Sequence, residues 1–259
     1  MRKLLPAISL LLLLGACQKE EPDQGTLIQI EKEFEVSLWE QLSTDGRDFQ
    51  IIIESTETKE CLNYRVDYAL NVFTENYIIT LKSIVEPSDC LPGIAPAKAK
   101  ISLGQPSDNF YNLDLNLGES INNKGRLTVS NDKYSLKLYT LNGLEQGNFD
   151  LWKIPENLVW GYATFNDEAY RQVALDFEAE LKSITEEVQL NQGYYGYFEI
   201  DSDQAANVFA QDKKSKSVNF IRKINTSISE LNKLANKYRL LSDPEKIKFH
   251  LGISTGQIF

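Results

Sequence analysis

Leu62-Asn63-Tyr64-Arg65-Val66-Asp67-Tyr68 alternates apolar-bodied and polar side chains without a break. Leu62, Tyr64, Val66 and Tyr68 therefore point one way while Asn63, Arg65 and Asp67 point the other, the period of a strand with one face on a core. The same alternation recurs in Phe34, Val36 and Leu38, in Leu113, Leu115 and Leu117, and in Tyr134, Leu136 and Leu138. Ile51-Ile52-Ile53 and Tyr77-Ile78-Ile79 read as strands buried on both faces. Turns are expected at Thr44-Asp45-Gly46, Asn122-Asn123-Lys124-Gly125, Asn131-Asp132 and Asn142-Gly143, where the residue types tolerate positive φ. From Glu86 to Ala97 three prolines, Pro87, Pro92 and Pro96, predict a long surface connection, because proline cannot donate to a central ladder. Residues 27–155 are thus expected to form an antiparallel β-sandwich, immunoglobulin-like in arrangement.

Beyond Pro155 the period lengthens. Tyr170, Val173, Phe177, Leu181, Ile184 and Val188 fall on one helical face that Asn166 or Asp167 can cap, and Ile221, Ile224, Ile228, Leu231, Ala235 and Tyr238 form a second stripe. Strand candidates at Leu158 to Phe165 and Tyr194 to Ile200 interleave with them, so residues 156–259 are expected to form a smaller α/β domain of βαβα type with a right-handed crossover. Ser242, Asp243, Pro244 and Glu245 carry the signals of a last short helix ended by Gly252. The whole chain reads as α+β.

At the start of the chain Arg2 and Lys3 precede an apolar run from Leu4 to Leu14, and Gly15-Ala16 supplies the small residues of a cleavage site. The run is too short for a spanning helix, which takes about 20 apolar residues. Leu14-Gly15-Ala16-Cys17 resembles the lipobox of bacterial lipoproteins. That resemblance implies cleavage between Ala16 and Cys17, removing residues 1–16, diacylation of the Cys17 thiol and acylation of the new N-terminus. Lys19-Glu20-Glu21 is similar to the short signal that sends Bacteroidota lipoproteins to the cell surface. Residues 17–26 would then be a lipidated tether, the membrane partner would be reached through lipid, and the location would be the outer membrane, on the cell surface or alternatively on the periplasmic leaflet. Two or more acyl chains anchor stably where one does not.

Removing Arg2 and Lys3 from 27 basic residues leaves 25 against 37 acidic ones, a formal net charge of −12. Phosphate backbones need clustered cations. The one basic cluster, Lys213-Lys214-Ser215-Lys216, is short and without aromatic neighbours, so no nucleic-acid partner is expected. With Cys17 committed to lipid, Cys61 and Cys90 remain, and in an oxidising compartment they predict one disulfide.

Catalytic signatures are scarce. His250 is the sole histidine, no nucleophile elbow, phosphate loop or zinc motif occurs, and no catalytic residue, metal site or cofactor is assigned. Asp201-Ser202-Asp203 has the spacing of a calcium loop but reads better as the start of a helix over Gln204 to Ala210. Tyr194, Tyr195 and Tyr197, in Gly193-Tyr194-Tyr195-Gly196-Tyr197-Phe198, are the candidate ligand-binding aromatics, with Trp39, Trp152 and Trp160 weighed beside them. The function expected is a non-enzymatic binding module taking a partner protein or glycan. The alternatives are an envelope glycan hydrolase using paired carboxylates and an assembly factor of an outer-membrane complex. Oligomeric state is left open by the sequence.

Overall fold

The computed structural model describes residues 31–209 and 216–259. The first ten strands are β1 (Phe34–Ser43), β2 (Gly46–Cys61), β3 (Arg65–Phe73), β4 (Asn76–Val85), β5 (Pro92–Gly104), β6 (Asn109–Leu117), β7 (Ile121–Val129), β8 (Lys133–Leu138), β9 (Leu144–Gln146) and β10 (Asp150–Trp152). They form one sheet in the order β10-β8-β7-β6-β4-β3-β5-β2-β1-β9. Alternation works as expected along these strands. Phe34, Val36 and Leu38, Phe49, Ile51 and Ile53, Leu113 and Leu115, and Leu127 all turn inward onto a single core.

The sheet curls because two of its junctions are minimal. Between β3 and β5 the register holds at a single pair, Arg65 with Lys98. At the opposite corner one continuous segment, residues 144–152, serves both borders. Its first part, β9, runs parallel to β1, while its last part, β10, runs antiparallel to β8. Between them Asn148 O accepts from Leu38 N and Phe149 O accepts from Leu136 N, so this strap stitches the two borders together.

This is not the all-antiparallel immunoglobulin-like sandwich that alternation predicts. β4 and β6 pair in parallel over six positions, from Asn76 with Asn112 to Leu81 with Leu117. The reason is topological: β5 leaves for the other half of the sheet, and the chain returns to lay β6 beside β4 in the same direction. Two local expectations also change. Asn122 to Gly125 lies inside β7, because the Asn123 amide is buried and bonds Asn142 N, Asn142 O and Thr140 Oγ1 at 2.8–3.0 Å, acting as a tertiary connector rather than a turn residue. Pro92 and Pro96 lie within β5, where the β2 register slips at Glu54/Thr58 and Lys59/Cys61 and tolerates the missing donors. The surface connection is only residues 86–91.

Cys61 and Cys90 form a disulfide across a sequence separation of 29. It sits at the rim, joining the end of β2 to the connection before β5. In the chain-entropy model a loop of that length stabilises the fold by about 3–4 kcal/mol. Replacing both cysteines by alanine is expected to lower the unfolding free energy, measured by urea denaturation, by that amount. A change under about 1 kcal/mol would show that the reduced chain is already constrained.

The remainder departs furthest from expectation. Its elements are β11 (Leu158–Phe165), α1 (Arg171–Ser183), β12 (Thr185–Glu186), β13 (Gly193–Tyr194), β14 (Phe198–Ile200), β15 (Ala206–Val208), β16 (Lys216–Ile224), α2 (Ile228–Leu241) and β17 (Ile247–Ile253). A four-stranded sheet, β12-β16-β11-β17, is antiparallel throughout, so there is no βαβα crossover. The described residues are about 55% strand and 13% helix, a β-rich chain rather than α+β.

The spacing of three between Ile221 and Ile224 predicts a helix, yet both belong to β16. That strand is covered on both sides: Val218, Phe220 and Ile224 meet the helices while Ile221 meets a second cluster with Trp160 and Phe198, so parity carries no signal there. The last helix is likewise replaced by β17, where Ile247, Phe249, Leu251 and Ile253 alternate inward. Asp243 Oδ1 accepts from Glu245 N at 2.9 Å in a turn, and the Ser242 hydroxyl is buried without a partner instead of capping. The helix expected after Asp201 is also absent, since Asp201 Oδ1 accepts from Asp203 N and Ala205 N and the chain proceeds into β15.

Both helices lay their apolar stripes on one face of this sheet. Ala174, Phe177 and Leu181 from α1 and Leu231, Leu234, Ala235 and Tyr238 from α2 are buried there, with Phe177 at 4.9 Å from Phe249 and 5.2 Å from Tyr238. These stripes are covered by the sheet, while Leu240 and Leu241 at the end of α2 stay exposed. Among the described residues no helix is long and apolar enough to cross a membrane.

Candidate functional site

The aromatic hairpin expected to present rings to a ligand is instead built into the protein. Gly196 adopts φ +85°, a conformation that glycine takes without strain, and turns the chain between β13 and β14. Tyr195 is 3% exposed and stacks on Phe198 at 4.8 Å. Tyr197 lies between Trp39, at 4.8 Å, and Trp160, at 5.3 Å, and its hydroxyl accepts from Leu42 N at 3.0 Å. Trp152 lies 6.4 Å from Tyr195 and donates its indole N–H to Gln192 O. Tyr194 is half-buried and packs against the core of the large sheet. Burial raises the phenol pKa values of Tyr194 and Tyr195 to about 12. These residues join the first ten strands to the rest of the chain.

A second inward cluster is polar. Glu40 is 2% exposed, and its carboxylate accepts from Arg47 Nη1 and from the Tyr134 hydroxyl, each at 3.1 Å. Tyr134 stacks on Phe49 at 4.1 Å, and Lys153 Nζ lies 4.7 Å from its ring centroid. Burial, then the Glu40 charge, pushes the Tyr134 phenol far up. Both Glu40 carboxylate oxygens are hydrogen-bonded, one to Arg47 and one to Tyr134, as a structural ion pair requires.

His250 lies on β17, stacked on Tyr162 at 5.0 Å, and burial followed by the Arg239 charge lowers its pKa, leaving it neutral at pH 7. Among the described residues no group of three histidine, cysteine or carboxylate side chains could hold a metal ion. A cleft of about 200 Å³ beside α1 and β16 carries Glu178 as its carboxylate, and Glu86 and Asp89 line a separate hollow on the 86–91 connection. Lys216 reaches Glu168 in an ion pair, while the rest of the basic cluster, residues 213–215, lies outside the described residues. So does the lipobox with Ala16 and Cys17.

Exposed rings occur elsewhere, on the solvent face of the large sheet. Phe73, Phe110 and Tyr139 are 58%, 60% and 57% exposed. Phe73 pairs with Asn76 across the β3–β4 hairpin, Asn76 with Asn112, and Asn112 with Arg126, so these four share one row and one face. Phe110, two residues before Asn112, points the same way, and the Arg126 guanidinium lies 5.7 Å from its centroid. Tyr139 N donates to Lys124 O and continues the ladder at the far side. Amides fill the space between: Asn112 Nδ2 donates to Asn76 Oδ1 at 3.0 Å, Asn116 Nδ2 to Thr80 Oγ1, and Asn122 Nδ2 to Asn116 Oδ1. Phe73, Ile78, Asn76, Asn112 and Asp114 border an open hollow of about 290 Å³.

Sequence reasoning passed over these rings, yet their phase gives them away. Phe110 is out of step with the inward Tyr111, Leu113 and Leu115, and Tyr139 is out of step with Tyr134, Leu136 and Leu138. No family model matches the chain, and no match is found among curated proteins or solved structures.

Proposed function

We propose that the protein is a lipid-anchored cell-envelope module, displayed on the outer membrane, that binds an oligosaccharide across the solvent face of its large sheet without catalysing a reaction. The observation that supports the binding reading is the placement of exposed Phe73, Phe110 and Tyr139 around a floor of side-chain amides. Flat rings stack on the apolar faces of sugars, and amides supply donors and acceptors that match hydroxyls. Phe73 and Phe110 are two strands and two residues apart, about 12 Å on ordinary sheet spacing. One sugar ring does not bridge that gap, so the face suits a chain of sugars. The address rests on the Leu14-Gly15-Ala16-Cys17 signal, and the Cys61–Cys90 disulfide suits an oxidising compartment.

Titration with a panel of soluble polysaccharides tests this. Removing one ring that contributes about 0.5–1.5 kcal/mol beyond its area weakens binding roughly 2- to 12-fold. Phe73→Ala and Phe110→Ala are each expected to fall in that range, with unchanged melting temperature because both side chains already face water. Equal affinity for wild type and the double variant would refute the assignment of this face.

A further inference from the structure

The rim that carries the disulfide ends in an apolar tip. Leu62, Leu91 and Ile94 are 53%, 56% and 77% exposed, the last being the most exposed large apolar side chain among the described residues of the ten-stranded sheet and its connections. Leu62 and Leu91 are adjacent, with Leu62 N donating to Leu91 O at 2.9 Å, and Leu62 packs over Gly93, the residue before Ile94, where a Cβ would come within 2.5 Å of its side chain. Ile94 is extruded by the slip in register between Lys59/Ala95 and Cys61/Pro92, which sets two residues of β5 against one of β2. Besides the disulfide, Asn63 clamps the tip, donating to Asp89 O at 2.7 Å and accepting from Leu91 N at 3.0 Å. Apolar groups fixed in water by a crosslink and two hydrogen bonds to a side-chain amide lose little conformational freedom when they are covered.

The direction of the chain says what covers them. Upstream of β1, Lys32 O accepts from Thr56 Oγ1 and Glu33 O from Thr56 N, so the entering chain still runs antiparallel to β2 beyond Ser55. The chain thus enters at the Cys61 end of the sheet. Leu62 lies six residues past Thr56, so the tip extends further toward that end by about 20 Å of strand. Only 13 residues separate Cys17 from Glu31, a contour of at most about 50 Å.

We infer that Leu62, Leu91 and Ile94 form a second membrane contact, dipping into the bilayer to which Cys17 is attached. This rests on the anchored reading of Cys17. Around the tip Lys59 and Arg65 stand with Glu60, Glu86 and Asp89, a mixed ring with no cationic excess for anionic headgroups. Insertion is therefore apolar in origin, and it occurs on zwitterionic lipid and persists at high salt.

The test uses the full lipidated protein reconstituted into phosphatidylcholine vesicles containing a phospholipid with a photoactivatable acyl chain. Intact mass first reads the acyl groups on Cys17, and peptide mapping then locates lipid adducts. We expect adducts on the disulfide-linked peptides carrying Leu62 and Leu91 to Ile94, at unchanged level in 0.5 M salt. Serine at all three positions is expected to cut them at least fivefold without loss of vesicle flotation or melting temperature. Acylated, vesicle-bound protein whose tip stays unlabelled overturns the inference and leaves the anchor standing. So does a tip that crosslinks in cells to a protein and never to lipid. A chain with no acyl group on Cys17 overturns both.

Discussion

Alanine at position 40 is expected to lower the unfolding free energy by about 3–5 kcal/mol, the cost of removing one partner from a buried ion pair. Glu40 lies at the inward phase of β1, two residues past Leu38, where alternation demands an apolar side chain. Its carboxylate is held there by Arg47 and Tyr134. Truncation leaves the part-exposed guanidinium without its charge partner and the buried phenol without its acceptor. Tyr134→Phe removes a single hydrogen bond and is expected to cost about 1.5–3 kcal/mol, because the acceptor is charged. The double variant then costs less than the sum, since the two changes remove the same bond. Urea denaturation of the four proteins closes the cycle. A loss below 1 kcal/mol for Glu40→Ala would mean that water reaches the site.

Alkali is expected to unfold the protein over a window that begins near pH 10. Tyr194 and Tyr195 ionise at about 10 in an unfolded chain and at about 12 in the fold, chiefly because burial penalises the phenolate. A folded-state pKa above the unfolded one means that the native state keeps its proton longer. The stabilisation is complete below pH 10 and is lost as pH rises toward 12, at about 1.4 kcal/mol per pH unit for each phenol. Solvent at the half-buried Tyr194 screens part of this, so over two units the pair contributes a few kcal/mol, and Tyr134 and Tyr197, also raised, add to the slope. Trp39, Trp152 and Trp160 adjoin these rings, so their fluorescence reports the transition directly. Tyr195→Phe should flatten the slope between pH 10 and 12 by close to one proton. Identical urea midpoints at pH 9 and pH 11.5 would show that the rings are solvated.

How far the sequence could be read depended on whether a strand had one wet face. Along β1, β6 and β8 one face meets the core and the other is open or carries polar residues, so Phe34-Val36-Leu38, Leu113-Leu115-Leu117 and Tyr134-Leu136-Leu138 announce themselves. β11, buried at nearly every residue, still reads as a strand because its apolar run is short, whereas in β16 both parities are apolar, which erases the period of two and lets spacings of three and four suggest a helix. Pro244 with Ser242 and Glu245 then reinforced the error with convincing helix-start chemistry. Of the site, the aromatic content of residues 193–198 was plain, but its direction was not. A short strand flanked by glycines does not say which layer it will meet, and here it met Trp39 and Trp160. The rings left in water lie on strands, or just past their ends, whose phase is readable in the sequence, at Phe110 in β6 and at Tyr139 after β8.

The strap at residues 144–152 gives the large sheet a single point of failure. Because β9 and β10 are two ends of nine consecutive residues, loosening this segment bares the backbone donors and acceptors of β1 and of β8 together. Each bared flank is a template for a strand from another molecule, so one local opening would create two growing points and link one copy to the next in a repeating chain.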